Sequence, residues 1–181
     1  MSNVKEYKDI VAFHPGYYIA DIIETYKDIA TQKAANKAVI VYESVWKHTQ
    51  QIAESLAEGF SDADMDVKVY QLSDTKSSIV MREIMDAKVV CIGSGTYNNV
   101  MAPSVAAFLE HIRPCKFKNK KGLAFAAYGW FNQVAKEIDT RMQQSGIESC
   151  HDVINQCYTP SDDQLEDYFN VAKEIAKKCQ E

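Results

Sequence analysis

Short apolar runs that lead straight into helical patterns constrain the fold of this chain more than any other feature. The clearest run, AVIVY at residues 38–42, is β-branched and typical of a strand buried on both faces. Apolar residues then recur on one helical stripe between residues 51 and 60. Residues 88–93 and 122–128 repeat this pattern. Strands buried on both faces need helices on both sides, so the sequence predicts an α/β domain with a parallel sheet.

The complete pattern predicts five strands that alternate with five helices. The strands are expected over residues 38–42, 66–72, 88–93 and 122–128, with a last strand within residues 147–158. The helices are expected over residues 51–60, 77–86, 103–112 and 164–178, and a further helix follows strand four and ends at about residue 144. Right-handed crossovers should connect the strands. Ligands of such sheets bind at the carboxyl ends of the strands, near the switch point. The loops after strands one, three and four are therefore the candidate site.

The N-terminal residues 1–36 are predicted to be an extension of the sheet domain, which would span residues 37–181. We expect residues 1–9 to be loosely held and residues 10–13 to form a short strand that ends at the turn sequence His14-Pro15-Gly16. Residues 17–33 carry the apolar stripe of an amphipathic helix. We expect this helix to dock on its own domain or across a homodimer, and we favour the homodimer.

The composition narrows the functional classes. A net charge of −5 argues against a nucleic-acid partner or an anionic membrane surface. The sequence has no signal-peptide pattern and no apolar run of about 18 residues, so we expect no membrane segment. Five scattered cysteines without a CxxC pair indicate reduced thiols in a cytoplasmic protein. The histidines are isolated from one another in the sequence, so we predict no metal site.

The loop after the first strand has the chemistry of a phosphate site. Its residues are Ser44, Val45, Trp46, Lys47, His48 and Thr49. The first amides of a helix have no internal partner and lie at its positive end, and the side chains of Ser44, His48 and Thr49 add donors. The alternative is an ordinary strand–helix connection with Ser or Thr as the N-cap.

The loops after strands three and four are suited to an aromatic ligand. Residues 93–99 include two glycines, Ser94, Thr96, Tyr97, Asn98 and Asn99. Glycine allows close approach of the backbone, Tyr97 offers an aromatic face, and asparagine amides can read the polar edge of a ring. In the next loop, Tyr128, Gly129 and Trp130 again place aromatic residues beside a glycine. An ordinary turn and a core tryptophan are the alternatives.

A phosphate loop beside two aromatic loops suits a flat ring that carries one phosphate, and FMN fits that description. The dinucleotide fingerprint GxGxxG is missing after the first strand, and so is GxxxxGK[ST]. NAD and ATP are therefore less suitable as the main ligand.

Three collinear motifs carry a family resemblance. VIVYESVWKHTQ, GSGTYNN-x3-P-x3-AFLEHIR and NKKGLAFAAYGW make residues 37–178 resemble the flavodoxin-like domain of flavodiiron proteins. The resemblance implies a flavodoxin-like three-layer α/β sandwich with a five-stranded parallel sheet in the order 2-1-3-4-5 and an N-terminal helical extension. It also implies that residues 44–49 hold the phosphate of FMN. Thr96, Tyr97, Asn98, Asn99, Ala127, Tyr128, Gly129 and Trp130 would then border the isoalloxazine ring.

The sequence departs from this family in two places. The family carries a diiron domain upstream, and residues 10–16 resemble only its end, with His14 matching the last iron ligand. One histidine cannot bind two irons, so we predict no oxygen or nitric oxide reductase activity from this chain alone. In addition, Phe131-Asn132-Gln133 replaces the usual Ser-Gly-Gly after the tryptophan. These bulkier residues are expected to crowd the flavin or alter its exposed edge.

The predicted function is FMN binding and electron transfer between protein redox partners of unidentified nature. The chemistry would reside on the flavin, so no residue is predicted to be catalytic. Two alternatives stay open. One is a flavin-free binding or assembly module, and the other is an FMN-dependent reductase acting on NAD(P)H or a quinone.

Overall fold

The computed structural model of the chain describes residues 4–7, 10–13 and 35–180. The chain divides into two compact units, Met1–Lys33 and Ala34–Glu181. In the first unit, strands β1 (Val4–Tyr7) and β2 (Ile10–Phe13) pair antiparallel. The strand at residues 10–13 is thereby confirmed, whereas β1 was not predicted and lies where a loosely held segment was expected. The predicted helix over residues 17–33 and His14 lie outside the described residues.

The second unit contains a parallel sheet that is covered by helices. Its elements are β3 (Ala35–Glu43), α1 (His48–Asp62), β4 (Asp66–Gln71), α2 (Ser77–Asp86), β5 (Ala87–Tyr97), β6 (Val100–Met101), α3 (Pro103–Ile112), the 3-10 turn Arg113–Cys115, β7 (Lys120–Tyr128), α4 (Val134–Gln144), β8 (Ile147–Ser149), β9 (Ile154–Cys157) and α5 (Asp162–Gln180). The spatial order is β4-β3-β5-β7, followed by β8 and β9 beside β7. This order confirms the predicted 2-1-3-4-5 sheet.

Two of the predicted sheet elements differ from those observed. The fifth strand is split into β8 and β9, which both pair parallel with β7 on either side of residues 150–153. The third strand, β5, extends to Tyr97 and pairs antiparallel with β6. Asn98 and Asn99 turn this hairpin with φ values of 45° and 67°, as expected of a two-residue hairpin turn. Residues 94–97, predicted as a loop, therefore belong to a strand.

The two faces of the sheet carry separate apolar cores. One core lies under α2, α3 and α4 and includes Val90, Ile92 and Phe108. The other lies under α1 and α5 and includes Ile40, Leu56 and Phe125. Burial of each large apolar side chain contributes ~1.5–3 kcal/mol, so both helical layers are firmly attached. The carboxyl ends of the strands are thereby held as a rigid edge.

Two buried lysines lie at the opposite edge of the sheet. Lys37 Nζ donates to Glu83 Oε2 at 2.7 Å and to Asp86 Oδ1 at 2.9 Å. Burial lowers the pKa of Lys37, but hydrogen bonds to these two carboxylates outweigh it, so the net pKa is raised. The hydrogen bond from Lys37 in turn lowers the pKa of Glu83.

The second lysine of this edge, Lys120, donates from Nζ to the carbonyl oxygens of Met85 and Ala87, at 2.9 and 2.8 Å. These carbonyls lie at the end of α2, where the helix dipole is negative. Burial nevertheless lowers the pKa of Lys120 to about 8. The two lysines thus connect α2 to the amino ends of β3 and β7, which are the strand ends farthest from the candidate site.

Candidate functional site

A cavity of about 360 Å³ opens at the carboxyl ends of β3, β5, β7 and β9. It is lined by Ser44, Val45, Trp46, His48, Thr49, Gly95, Thr96, Tyr97, Ala127, Tyr128, Gly129, Trp130 and Tyr158. The three loops that the sequence predicts as ligand-binding therefore meet in one cavity. The position agrees with the general rule for open parallel sheets, in which ligands bind at the switch point.

The buried carboxylate of Glu43 fixes the start of the first loop. Its Oε1 accepts the backbone N–H of Ser44 at 3.1 Å and Gln71 Nε2 at 3.0 Å. Its Oε2 accepts Ser104 Oγ from the first turn of α3 at 3.1 Å. Three donors from three segments thus satisfy a side chain that is only 8% exposed in total. This positioning role of Glu43 was not predicted from the sequence.

Helix α1 begins within the loop that lines the cavity, and its first amides lack an intrahelical acceptor. Lys47 is its N-cap and adopts a left-handed conformation with φ of 66°, without a side-chain cap. The structure therefore excludes the alternative in which Ser or Thr caps this helix. The first intrahelical bond runs from Gln51 N to the carbonyl of Lys47 at 2.9 Å. The preceding amides have no intrahelical acceptor.

Thr49 is the most deeply placed polar side chain of this loop. The residue is 1% exposed, yet it lines the cavity. Within the described part of the chain its hydroxyl has no hydrogen-bond partner, although buried hydroxyls ordinarily have one. A hydroxyl that faces a cavity and has no partner is suited to donate a hydrogen bond to an anionic ligand.

The hairpin β5–β6 supplies the second side of the cavity. Thr96 and Tyr97 line it, and the pKa of the Tyr97 phenol is raised by burial and then by the nearby Glu43 carboxylate. Ser94 is fully buried instead. Its hydroxyl donates to the carbonyl of Gly95 at 2.7 Å and accepts the backbone N–H of Ala102 at 2.8 Å. Ser94 therefore stabilises the hairpin and does not line the cavity.

The end of β7 supplies the third side. Ala127, Tyr128, Gly129 and Trp130 all line the cavity. Trp130 is 79% exposed, and its indole Nε1 donates to the Asn99 side-chain oxygen at 2.9 Å. The tips of the second and third loops are thereby linked.

The bulky residues that follow Trp130 leave the cavity open. Phe131 packs against the core under α2, α3 and α4. Its carbonyl accepts the hydroxyl of Thr96 at 3.5 Å. Neither Phe131, Asn132 nor Gln133 lines the cavity, so the expected crowding of a ligand by these residues does not arise from their observed positions.

Most of the predicted site residues converge, and a few do not. Four predicted residues lie outside the cavity lining: Lys47, Ser94, Asn98 and Asn99. Two lining residues were not predicted, namely Gly95 and Tyr158. Gly95 lies within a motif that was already identified, but Tyr158 follows β9, where no sequence motif marks a site.

Comparison with known proteins identifies the family. Residues 40–178 match the flavodoxin family, and the chain belongs to it. The rubredoxin-oxygen oxidoreductase of Megalodesulfovibrio gigas is 33% identical over 155 residues, which cover 86% of this chain and 39% of that protein.

Two solved structures show the same relationship. The rubredoxin oxygen:oxidoreductase from Desulfovibrio gigas superposes with a TM-score of 0.84 at 30% identity, over 94% of this chain and 42% of the other. The flavodiiron protein from Giardia intestinalis shares the fold, with a TM-score of 0.80 at 23% identity over the same shares.

The matches confirm that the chain is a flavodoxin-like domain homologous to the flavin domain of flavodiiron proteins. FMN-binding electron transfer is the function of that domain. The chain spans about two fifths of the length of some of its relatives and about a third of the length of others. Among the described residues, no helix is long and apolar enough to cross a bilayer. No cluster of potential metal ligands occurs within the same residues.

Proposed function

We propose that the cavity at the carboxyl ends of β3, β5 and β7 binds FMN and that the chain transfers electrons between this flavin and a protein partner. One observation carries the placement. The buried hydroxyl of Thr49, which has no hydrogen-bond partner among the described residues, lines the same cavity as the aromatic side chains of Tyr97 and Trp130. FMN combines a phosphate, which suits a hydroxyl donor, with a flat ring, which suits aromatic side chains.

The phosphate would bind at the start of α1. Backbone amides and the helix dipole stabilise an anion there without a cationic cluster, which suits a chain with a net charge of −5. The hydroxyls of Ser44 and Thr49 would add donors, and Lys47 and His48 would contribute through their amides. Hydrogen bonds to a charged group contribute roughly 1.5–3 kcal/mol each.

The isoalloxazine ring would lie between the hairpin β5–β6 and the end of β7. Tyr97 and Trp130 offer aromatic faces there, and Gly95 and Gly129 allow the backbone to approach. FMN supplies the ability to accept and donate electrons when it is bound. The residues of this chain would orient the ring, limit its contact with water and leave one edge accessible to a partner.

Exposed apolar residues near the cavity support the proposal that the partner is a protein. We call this set the apolar collar. It consists of Val45, Trp46, Val100, Trp130 and Tyr158, which are between 54% and 80% exposed. Exposed apolar patches of this kind mark interaction sites. A redox protein such as rubredoxin, which appears in the name of a relative, is a partner of the appropriate chemistry.

The cofactor placement is tested by titrating the purified protein with FMN and with riboflavin, which lacks the phosphate. The wild type should bind FMN stoichiometrically and much more tightly than riboflavin. Replacement Thr49→Val keeps the shape but removes the hydroxyl, and it should weaken FMN by about 1–2 kcal/mol, or roughly 5- to 30-fold. Riboflavin affinity should stay unchanged. Equal binding of both flavins by the wild type would contradict the placement, and no binding of either would favour a flavin-free assembly module.

The partner site is tested by the rate of electron transfer from FMN-loaded protein to oxidised rubredoxin. Val100→Glu places a charge in the apolar collar without altering the cavity lining and should slow the reaction. Ile79→Glu makes a similar change at an exposed apolar residue of α2 and should not. Equal rates for the two variants would show that the apolar collar is not the docking surface. Direct oxidation of NAD(P)H by the wild type would instead indicate a reductase.

Three further predictions stay proposals. We infer that residues 1–36 are an extension of the domain over residues 37–181, and that the chain forms a homodimer. A cytoplasmic location is proposed because all five cysteines are unpaired, as expected in a reducing compartment. Sedimentation of the purified protein at micromolar concentration tests the homodimer.

A further inference from the structure

The segment that follows β9 forms a fourth wall of the cavity. We propose that Tyr158 contacts the bound flavin and that His48 holds this segment closed over the ligand through Thr159. The proposal rests on the FMN function argued above and extends it to Tyr158 and Thr159, which no motif indicates.

Tyr158 is held over the cavity by its backbone. Its N–H donates to the carbonyl of Tyr128 at 2.8 Å, and its φ of 57° lies in the left-handed region, which is costly for a bulky residue. The ring lies beside Gly129, where an added Cβ would come within 3.4 Å of it. An aromatic residue that is 62% exposed and lines the cavity in this strained conformation is well placed to contact a flavin.

The next residue, Thr159, contacts the predicted phosphate loop. Its hydroxyl lies 3.0 Å from Nε2 of His48 in the first turn of α1. This contact joins residues 111 positions apart in the sequence. It is the reason that the fourth wall stands next to the predicted phosphate site.

The far end of the segment is fixed as well. Ser161 and Gln164 form a reciprocal capping box at the start of α5, in which Gln164 N donates to Ser161 Oγ at 3.3 Å and Ser161 N donates to Gln164 Oε1 at 3.0 Å. Pro160 is buried between these anchors. The segment is therefore short and fixed at both ends, and the His48–Thr159 contact determines how closely it covers the ligand.

In this arrangement His48 is a positioning residue that acts through Thr159. Loss of the contact should loosen the wall and speed the release of any flavin, with or without a phosphate. If His48 acted on the phosphate directly, its loss would affect FMN and not riboflavin. The two flavins therefore separate the two roles.

The first experiment measures FMN and riboflavin release from Tyr158→Asn by stopped-flow fluorescence. Asparagine tolerates the left-handed conformation, so the backbone is retained while the ring is lost. We expect release of both flavins to become roughly three- to tenfold faster, the scale of one aromatic contact. The melting temperature of the flavin-free protein should not fall, which separates a ligand contact from a structural role.

The second experiment applies the same measurement to Thr159→Val, His48→Gln and the double variant. Each single change should speed the release of both flavins roughly fivefold, as for one hydrogen bond. The double variant should release flavin no faster than the faster single variant, because both changes remove one contact. Thr140→Val on the exposed face of α4 and His111→Gln on α3 are matched controls and should release flavin at the wild-type rate.

Two results would overturn the proposal while leaving the FMN site intact. One is wild-type release from Tyr158→Asn. The other is faster release of FMN alone from His48→Gln, combined with wild-type release from Thr159→Val. A wild-type protein that binds neither flavin would instead overturn the proposed function together with this inference.

Discussion

The indole Nε1 of Trp130 donates a hydrogen bond of 2.9 Å to the side-chain oxygen of Asn99. This bond joins the end of β7 to the tip of the hairpin β5–β6 across the cavity mouth. Both partners are largely exposed, so the bond fixes the direction of the indole more than it stabilises the fold. An exposed tryptophan is thereby held beside the cavity, ready to contact an aromatic ligand.

We predict that bound FMN fluoresces weakly and that Trp130→Ala increases its emission, because stacking on an indole quenches flavin fluorescence. Asn99→Gly should have a smaller effect in the same direction. Glycine accepts the left-handed conformation of this position and removes only the hydrogen bond. The measurement is the emission of FMN-saturated protein. Wild-type emission from Trp130→Ala would place the indole away from the ring.

Lys47 gives a second prediction, which concerns the strained start of α1. Its φ of 66° is unfavourable for a residue with a side chain. Lys47→Gly should therefore raise the free energy of unfolding of the flavin-free protein by up to about 1 kcal/mol. Lys76→Gly is the matched control, because Lys76 caps α2 with an ordinary φ of −63°. At Lys76 there is no left-handed strain to relieve, so the free energy of unfolding should rise less than it does for Lys47→Gly. Equal effects of the two changes in urea titrations would show that Lys47 is not strained.

The sequence predicted some helices at their observed bounds and misplaced the start of another. Apolar periodicity predicted α2 and α3 at their observed bounds, because helices that pack on a sheet show their buried stripe directly. The family resemblance predicted the sheet order, and the rule that ligands bind at the carboxyl ends of parallel strands predicted the three loops of the cavity. The start of α1 was placed three residues late, since Lys47 carries none of the side chains that usually mark an N-cap.

The features that the sequence did not predict depend on long-range pairing. Residues 94–97 were predicted to be a loop, but Ser94 and Gly95 pair with β7, more than 30 residues away. Thr96 and Tyr97 pair with β6 in a hairpin whose turn needs two left-handed asparagines. The interruption between β8 and β9 likewise depends on pairing with β7. The His48–Thr159 contact joins segments 111 residues apart, a separation at which periodicity and local motifs carry no information.

A third prediction concerns the buried ion pair of Lys37. Removal of its charge leaves the Glu83 carboxylate, whose side chain is 16% exposed, without this partner. Lys37→Met should therefore lower the free energy of unfolding at pH 7 by about 2–3 kcal/mol. Lys121→Met is the control. Its ion pair with Glu148 has a similar length, 2.9 Å, but side chains that are 40% and 71% exposed, so its loss should cost less than about 1 kcal/mol.

The pH dependence of this difference follows from the pKa of Glu83. Because Lys37 lowers that pKa below its ordinary value of 4.5, the stabilisation is present above pH 4.5 and is lost as the pH falls through the folded-state pKa. The wild type and Lys37→Met should therefore converge in stability under acid conditions. A difference that stays constant down to pH 3 would contradict the assignment of the charge pair.

The last prediction uses Lys120, whose pKa burial lowers to about 8 from an ordinary 10.5. Between these values the unfolded chain binds more protons at this residue than the folded chain does. The contribution of Lys120 to stability therefore rises with pH from about 8 to about 10.5.

Other groups titrate in this range, and the comparison that isolates Lys120 is the difference between the wild type and Lys120→Met. We expect this difference to shift in favour of the wild type by about 1–2 kcal/mol between pH 8 and pH 10. Urea unfolding at pH 7, 8, 9 and 10 measures it. No shift, or a shift in favour of the variant, would mean that the hydrogen bonds to Met85 and Ala87 keep Lys120 charged in the folded protein.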